Sequence, residues 1–100
     1  MSDPAPIAPV PLEGLPFDMQ DLQAALVWVA NRAGVRLTVA TDHRHVPEAL
    51  EITPRGATST RWCIWRDYEG NMHLDDWKRS EFDLPYHTLA AALAFIDLSL

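Results

Sequence analysis

The segment from Arg61 to Arg79 constrains this chain more than any other. It arranges Trp62, Trp65 and Trp77 around Tyr68-Glu69-Gly70, a three-residue loop in which Gly70 supplies the left-handed position that closes a tight β-hairpin. Pairing Asp67 with Asn71 across that loop sets Arg66 opposite Met72, Ile64 opposite Leu74 and Trp62 opposite Asp76 on a mostly apolar face. The other face receives Trp65 opposite His73, Cys63 opposite Asp75 and Arg61 opposite Trp77. A slip of one residue would pair Trp65 with Leu74 and exchange the faces, so everything read from this hairpin depends on its register.

The flanking segments carry simpler signals. Asp18 is an N-cap with Asp21 at the third helical position, near the positive helix end, and Phe17 staples onto Leu22. Leu22, Ala25, Leu26, Val29 and Ala33 recur at helical spacing, which predicts a helix over 18–33 that Gly34 stops. Val27 and Trp28 fall off that stripe, to be covered by neighbouring loops or by the chain's N-terminal arm, with a partner surface as the alternative. After Gly34 the period changes to two: Val35, Leu37 and Val39 alternate with Arg36 and Thr38 as a half-buried strand. Leu50 and Ile52 mark a second strand that ends at Pro54, with Pro47-Glu48 able to start a helical turn instead. The stretches 54–60 and 79–85 read as loops. Thr88 caps a closing helix whose buried stripe is Leu89, Ala92, Leu93 and Ile96, with Leu100 as its last member.

A chain of 100 residues, 48% hydrophobic, suffices for one domain with one core. The expected fold is α+β: an antiparallel sheet of about four strands with two helices on one face, in the order α-β-β-β-β-α, over residues 17–100. A Pro-rich arm over 1–16 precedes it. Pro4, Pro6, Pro9, Pro11 and Pro16 deny that segment any helix or ladder, and Pro6-Ile7-Ala8-Pro9 has a PxxP spacing but no basic residue to orient it in an SH3-like groove. The open sheet face then carries Arg36, Thr38, Glu51, Thr53, Arg61, Trp65, His73, Asp75 and Trp77.

A formal net charge of −6 opposes non-specific attraction to phosphate backbones. Cys63, the single cysteine, allows no intrachain disulfide. The start Met1-Ser2-Asp3-Pro4 lacks the features of a secretory signal, and no apolar run is long enough to span a bilayer, so a cytoplasmic protein without membrane contact is expected.

Three constellations invite chemistry and each is incomplete. His43-x-His45 offers two ligands without a third or fourth at a metal-site spacing. Cys63, His73 and Asp75 meet in the proposed register like a nucleophile, base and orienter, yet Asp75 and Asp76 beside the thiol disfavour a thiolate. Asp75, Asp76, Glu81 and Asp83 form an acidic cluster interrupted by Lys78 and Arg79, which reads as a solvated loop. The chain contains no phosphate-binding glycine loop, HExxH or GxSxG. No catalytic residue, metal or cofactor is therefore expected.

The aromatic face is the remaining candidate. Tryptophan buries a large area at small entropic cost, and an adjacent arginine adds cation–π contacts. Trp65, Trp77, Arg61 and His73 are the expected partner-binding residues of a non-enzymatic interaction module that binds a protein partner or a second copy of itself. The alternatives are an acidic inhibitor or decoy that blocks a nucleic-acid-binding protein, and a single-stranded nucleic-acid-binding module with aromatics on a sheet, which the net charge opposes.

Overall fold

The computed structural model describes residues 17–44, 47–67 and 69–100. The Pro-rich arm, His45 and Tyr68 lie outside the described residues. The elements run α1 (Met19–Ala30), β1 (Val35–Thr41), β2 (Pro47–Pro54), β3 (Trp62–Arg66), β4 (Met72–Asp76), β5 (Glu81–Tyr86) and α2 (Leu89–Asp97). The five strands form one antiparallel sheet in sequence order, with α1 lying over β1 and α2 over β4 and β5. This is the expected α+β layout with one more strand. No described helix is long and apolar enough to cross a membrane.

The hairpin adopts the register read from its loop. Trp62 pairs with Asp76, Cys63 with Asp75, Ile64 with Leu74, Trp65 with His73 and Arg66 with Met72. Gly70 has φ of 88°, its N–H donates to the Asp67 carbonyl at 3.1 Å, and the Asp67 N–H donates to the Asn71 carbonyl at 2.9 Å. The Asp67 carboxylate also accepts the Glu69 and Asn71 N–H groups, so the Glu69, Gly70 and Asn71 N–H groups are all satisfied by Asp67. Trp77 continues the ladder by donating its N–H to the Arg61 carbonyl at 2.8 Å.

The segment 79–85, read as a loop, is instead mostly strand β5. It pairs Leu84 with Leu74, Pro85 with His73 and Tyr86 with Met72, with a register shift beside Asp75. Pro85 is tolerable because β5 is an edge strand. Ser80 and Asp83 adopt positive φ (55° and 58°), and the Asp83 N–H donates to the Asp75 carboxylate at 2.8 Å instead of to a strand carbonyl. Pro47 and Glu48 likewise belong to β2 and start no helical turn.

The helix N-termini are capped as expected, Asp18 accepting the Asp21 N–H at 2.8 Å and Thr88 accepting the Ala91 N–H at 3.1 Å, but α1 stops at Ala30 with Asn31 as its C-cap, short of the expected end at Ala33 before Gly34. In α2 the buried residues are Leu89, Ala92, Leu93 and Ile96, while Leu100 stays exposed. In α1 the expected stripe is rotated. Trp28 is buried together with Ala25, whereas Leu26 is exposed. The cause lies on α2. Asp97 accepts the Trp28 indole N–H at 3.2 Å and both Arg32 Nε and a terminal Arg32 nitrogen at 2.6 and 2.7 Å, and the Arg32 guanidinium lies 4.5 Å from the Trp28 ring centre. This clamp draws the Trp28 flank of α1 toward α2. The core beneath is built from Val35, Leu50, Ile52, Trp62, Ile64, Met72 and Leu74 with the inner residues of both helices.

Candidate functional site: the aromatic sheet face

Strand alternation and the observed register lay out the helix-free face in cross-strand rows. One row reads Thr38, Glu51, Cys63, Asp75, and the next reads Ala40, Ala49, Trp65, His73, Pro85. The four residues expected to bind a partner do not form one cluster. Trp65 and His73 do meet, with rings stacked 4.1 Å apart and 8° from parallel. Trp77 lies four residues past His73, roughly 13 Å along the strand direction.

His73 is fixed from both sides. Its Nε2 lies 2.7 Å from an Asp67 carboxylate oxygen, and its Nδ1 hydrogen-bonds an Asp83 carboxylate oxygen. Burial alone would lower the imidazole pKa, but the Asp67 and Asp83 carboxylates outweigh it and raise the value above the ordinary one. The hydrogen bond from His73 in turn lowers the Asp67 pKa, assisted by the Asn71 and Glu69 N–H groups against the effect of burial. This arrangement differs from a thiol–imidazole–carboxylate triad, because both ring nitrogens of His73 engage other carboxylates and Asp75 accepts from the Asp83 backbone. Burial first, then the Asp75 and Glu51 charges, push the Cys63 thiol up to about 11, so the sulfur is protonated at neutral pH.

Arg61 is drawn away from the face. Its guanidinium donates to Asp76 through Nε at 3.2 Å and a terminal nitrogen at 3.3 Å, and it lies 4.2 Å from the centre of the Trp62 ring. Asp76 is wholly buried and also accepts the Trp62 indole N–H and the backbone N–H groups of Lys78 and Arg79. Thr53, expected on the open face, is buried with its hydroxyl 3.3 Å from that of Thr60.

Trp77 stands at the β4–β5 turn and is 57% exposed. Against it rests Phe82 of β5, 48% exposed, with ring centres 4.8 Å apart at 69°, an edge-to-face contact. The segment 79–85 thus does reach Trp77, through the Phe82 ring of β5, and leaves both rings largely exposed. Phe82 was missed because its strand was missed. Phe82, Leu84 and Tyr86 alternate as in a strand, but the register shift and the left-handed Asp83 set Phe82 outside the core that Leu84 and Tyr86 join, so periodicity alone signals the strand and not the exposed ring.

Among the described residues no three His, Cys, Asp or Glu side chains are grouped to hold a metal ion. His43 is exposed, and its companion His45 lies outside the described residues. No protein-family model, curated protein or solved structure matches the chain.

Proposed function

We propose that this chain is a non-enzymatic interaction module that docks a protein partner through the Trp77–Phe82 pair and the acidic sheet face beside it. The observation that carries this reading is the exposure of two large aromatic rings held edge-to-face at one corner of the sheet. Exposed rings of this size, pre-ordered by mutual contact, gain area on binding at little entropic cost. The chemistry of the partner follows from charge. Glu51, Asp75, Asp67 and Asp83 populate the face or its rim, and the chain carries a net charge of −6. A basic protein surface, with Arg or Lys over the Trp77 and Phe82 rings, satisfies both the charge and the aromatic groups.

Paired affinity captures with the wild-type chain and a Trp77→Ser, Phe82→Ser double variant test this reading, followed by titration of the purified captured protein. A basic partner whose affinity falls at least about tenfold in the double variant and weakens with added salt is the expected result. Equal binding by both baits overturns the site, and capture that depends on nuclease-sensitive nucleic acid overturns the partner class.

A further inference from the structure

Among the described residues the apolar stripe along α1 is only half used. Trp28 faces α2, where it donates to Asp97. At 100° per residue, Leu26 and Met19 project from the opposite flank of α1, past the outer edge of the sheet. They are 55% and 68% exposed. Beneath that flank lies β1, whose Leu37 and Val39 are only partly buried.

Among the described residues the backbone of β1 is also half used. Among the described residues β1 ends the sheet order, with β2 on one side. Gly34 directs its carbonyl to the Arg55 N–H at 2.9 Å, so by alternation Arg36 and Thr38 point their backbone groups at β2, and Leu37 and Val39 point theirs outward. The two sheet edges differ in how they meet solvent. β5 is blunted by Pro85, by Asp83 in a left-handed conformation and by its register shift. β1 pairs regularly from Val35 to Ala40 and has no proline, no left-handed residue and one charged side chain, Arg36.

We propose that a second copy of this chain occupies the β1 edge, the two β1 strands pairing antiparallel about a two-fold axis at Thr38. The edge is complementary to itself in that register. Thr38 faces Thr38 of the other copy, and Leu37 faces Val39, so apolar side chains meet on the helix-covered side. Leu37 and Val39 are the residues whose N–H and C=O groups point outward, which makes each Leu37–Val39 pair a hydrogen-bonded one. Arg36 falls opposite Ala40 and diagonal to Asp42 of the other copy, which keeps the two arginines apart and sets each near a carboxylate. Adjacent β1 strands bring the overlying α1 helices within packing distance, where Met19 and Leu26 close over the junction. The result is a ten-stranded sheet with four helices on one face and an aromatic corner at each far end, independent of what docks there.

Sedimentation of the full chain across a concentration series is expected to show a dimer, and Leu26→Asp a monomer with unchanged far-ultraviolet dichroism. With Cys63→Ser as background, Thr38→Cys is expected to give a disulfide-linked dimer on mild oxidation, because non-hydrogen-bonded pairs bring the strands closest, and Arg36→Cys is expected not to. Should Leu26→Asp misfold, hydrogen exchange of the wild type decides: the Leu37 and Val39 amides are expected to exchange slowly in the dimer and fast at the dilution that dissociates it. A monomer at every concentration overturns the proposal. So does a dimer dissociated by Trp77→Ser but not by Leu26→Asp, and so does protection of these two amides in a monomer that is lost on deleting residues 1–16.

Discussion

The wholly buried carboxylate of Asp76 accepts the indole N–H of Trp62 at 3.3 Å across the β3–β4 hairpin. Arg61 stacks on the other side of this relationship, donating to Asp76 while covering the Trp62 ring. Burial raises the Asp76 pKa, but the Arg61 guanidinium, the Arg79 N–H and the Trp62 indole together hold it below the ordinary carboxylate value. Removing the carboxylate leaves Arg61 and the Trp62 N–H without an acceptor in a poorly solvated site. Asp76→Ala is expected to cost about 3–5 kcal/mol in a urea titration, the range for breaking a buried ion pair from one side. Arg61→Ala is expected to cost about as much for the same reason, and the two losses are expected to be less than additive.

The two hairpin tryptophans separate core from surface. Trp62 is fully buried, and Trp62→Ala is expected to cost about 3–5 kcal/mol. Trp65 stacks on His73 on the open face and is partly exposed, so Trp65→Ala is expected to cost well under half of that by the same titration. Gly70→Ala tests the turn itself. A Cβ there meets only ordinary contact with Arg66 at 3.5 Å, but at φ of 88° the backbone is strained for any side chain, and a loss of roughly 1 kcal/mol is expected.

The hairpin was legible because its information is local: a glycine in the loop and alternating residues on either side fix the register without reference to distant chain. β5 was not, because Pro85 contradicts a strand pattern and one of its backbone groups is satisfied by the Asp75 side chain, a substitution that residue periodicity does not encode. Trp28 was misplaced for a related reason. Its partner Asp97 lies 69 residues away, and nothing near Trp28 announces that a carboxylate on the last helix will draw it inward. Of the aromatic site, Trp65 opposite His73 followed from register alone. The Phe82 ring beside Trp77 depends on the β4–β5 turn, which periodicity does not encode, whereas the diversion of Arg61 to Asp76 lies at the end of the β3–β4 register and turns only on the direction its side chain takes.

Exposure of Trp77 gives it a spectroscopic signature. Trp28 and Trp62 are buried and Trp65 is partly covered, so Trp77 is the indole that a neutral quencher reaches first. Trp77→Phe is expected to remove most of the fluorescence quenched by acrylamide in the native chain, with a change in unfolding free energy within about 0.5 kcal/mol, as for surface substitutions generally. A partner docked on this corner is expected to protect the same emission. Quenching that survives in Trp77→Phe would place the accessible indole elsewhere and dismiss this corner as the binding site.

His73 ties the hairpin turn to the edge strand through Asp67 and Asp83, and its charge decides how well. As the imidazolium it donates from both nitrogens, one to each carboxylate; as the neutral ring it has one N–H, and the second carboxylate then faces a lone pair. The folded pKa is raised above the unfolded value near 6.5, so this contribution is fully present below about pH 6.5 and is lost as pH rises through the higher folded value. The lowered Asp67 pKa acts at the other end. Its contribution is present above about pH 4 and lost as pH falls through the folded value. Asp75, which accepts the Asp83 N–H, and His87, whose Nδ1 lies 3.4 Å from the Asn71 side-chain oxygen, are the titratable neighbours on the same strand and beyond β5. Stability is therefore expected to be greatest in the mildly acidic range and to decline from pH 6.5 upward, with amides of β5 the first to lose exchange protection. His73→Gln is expected to flatten that decline, and an equally steep decline in the variant would move the titrating group away from this site.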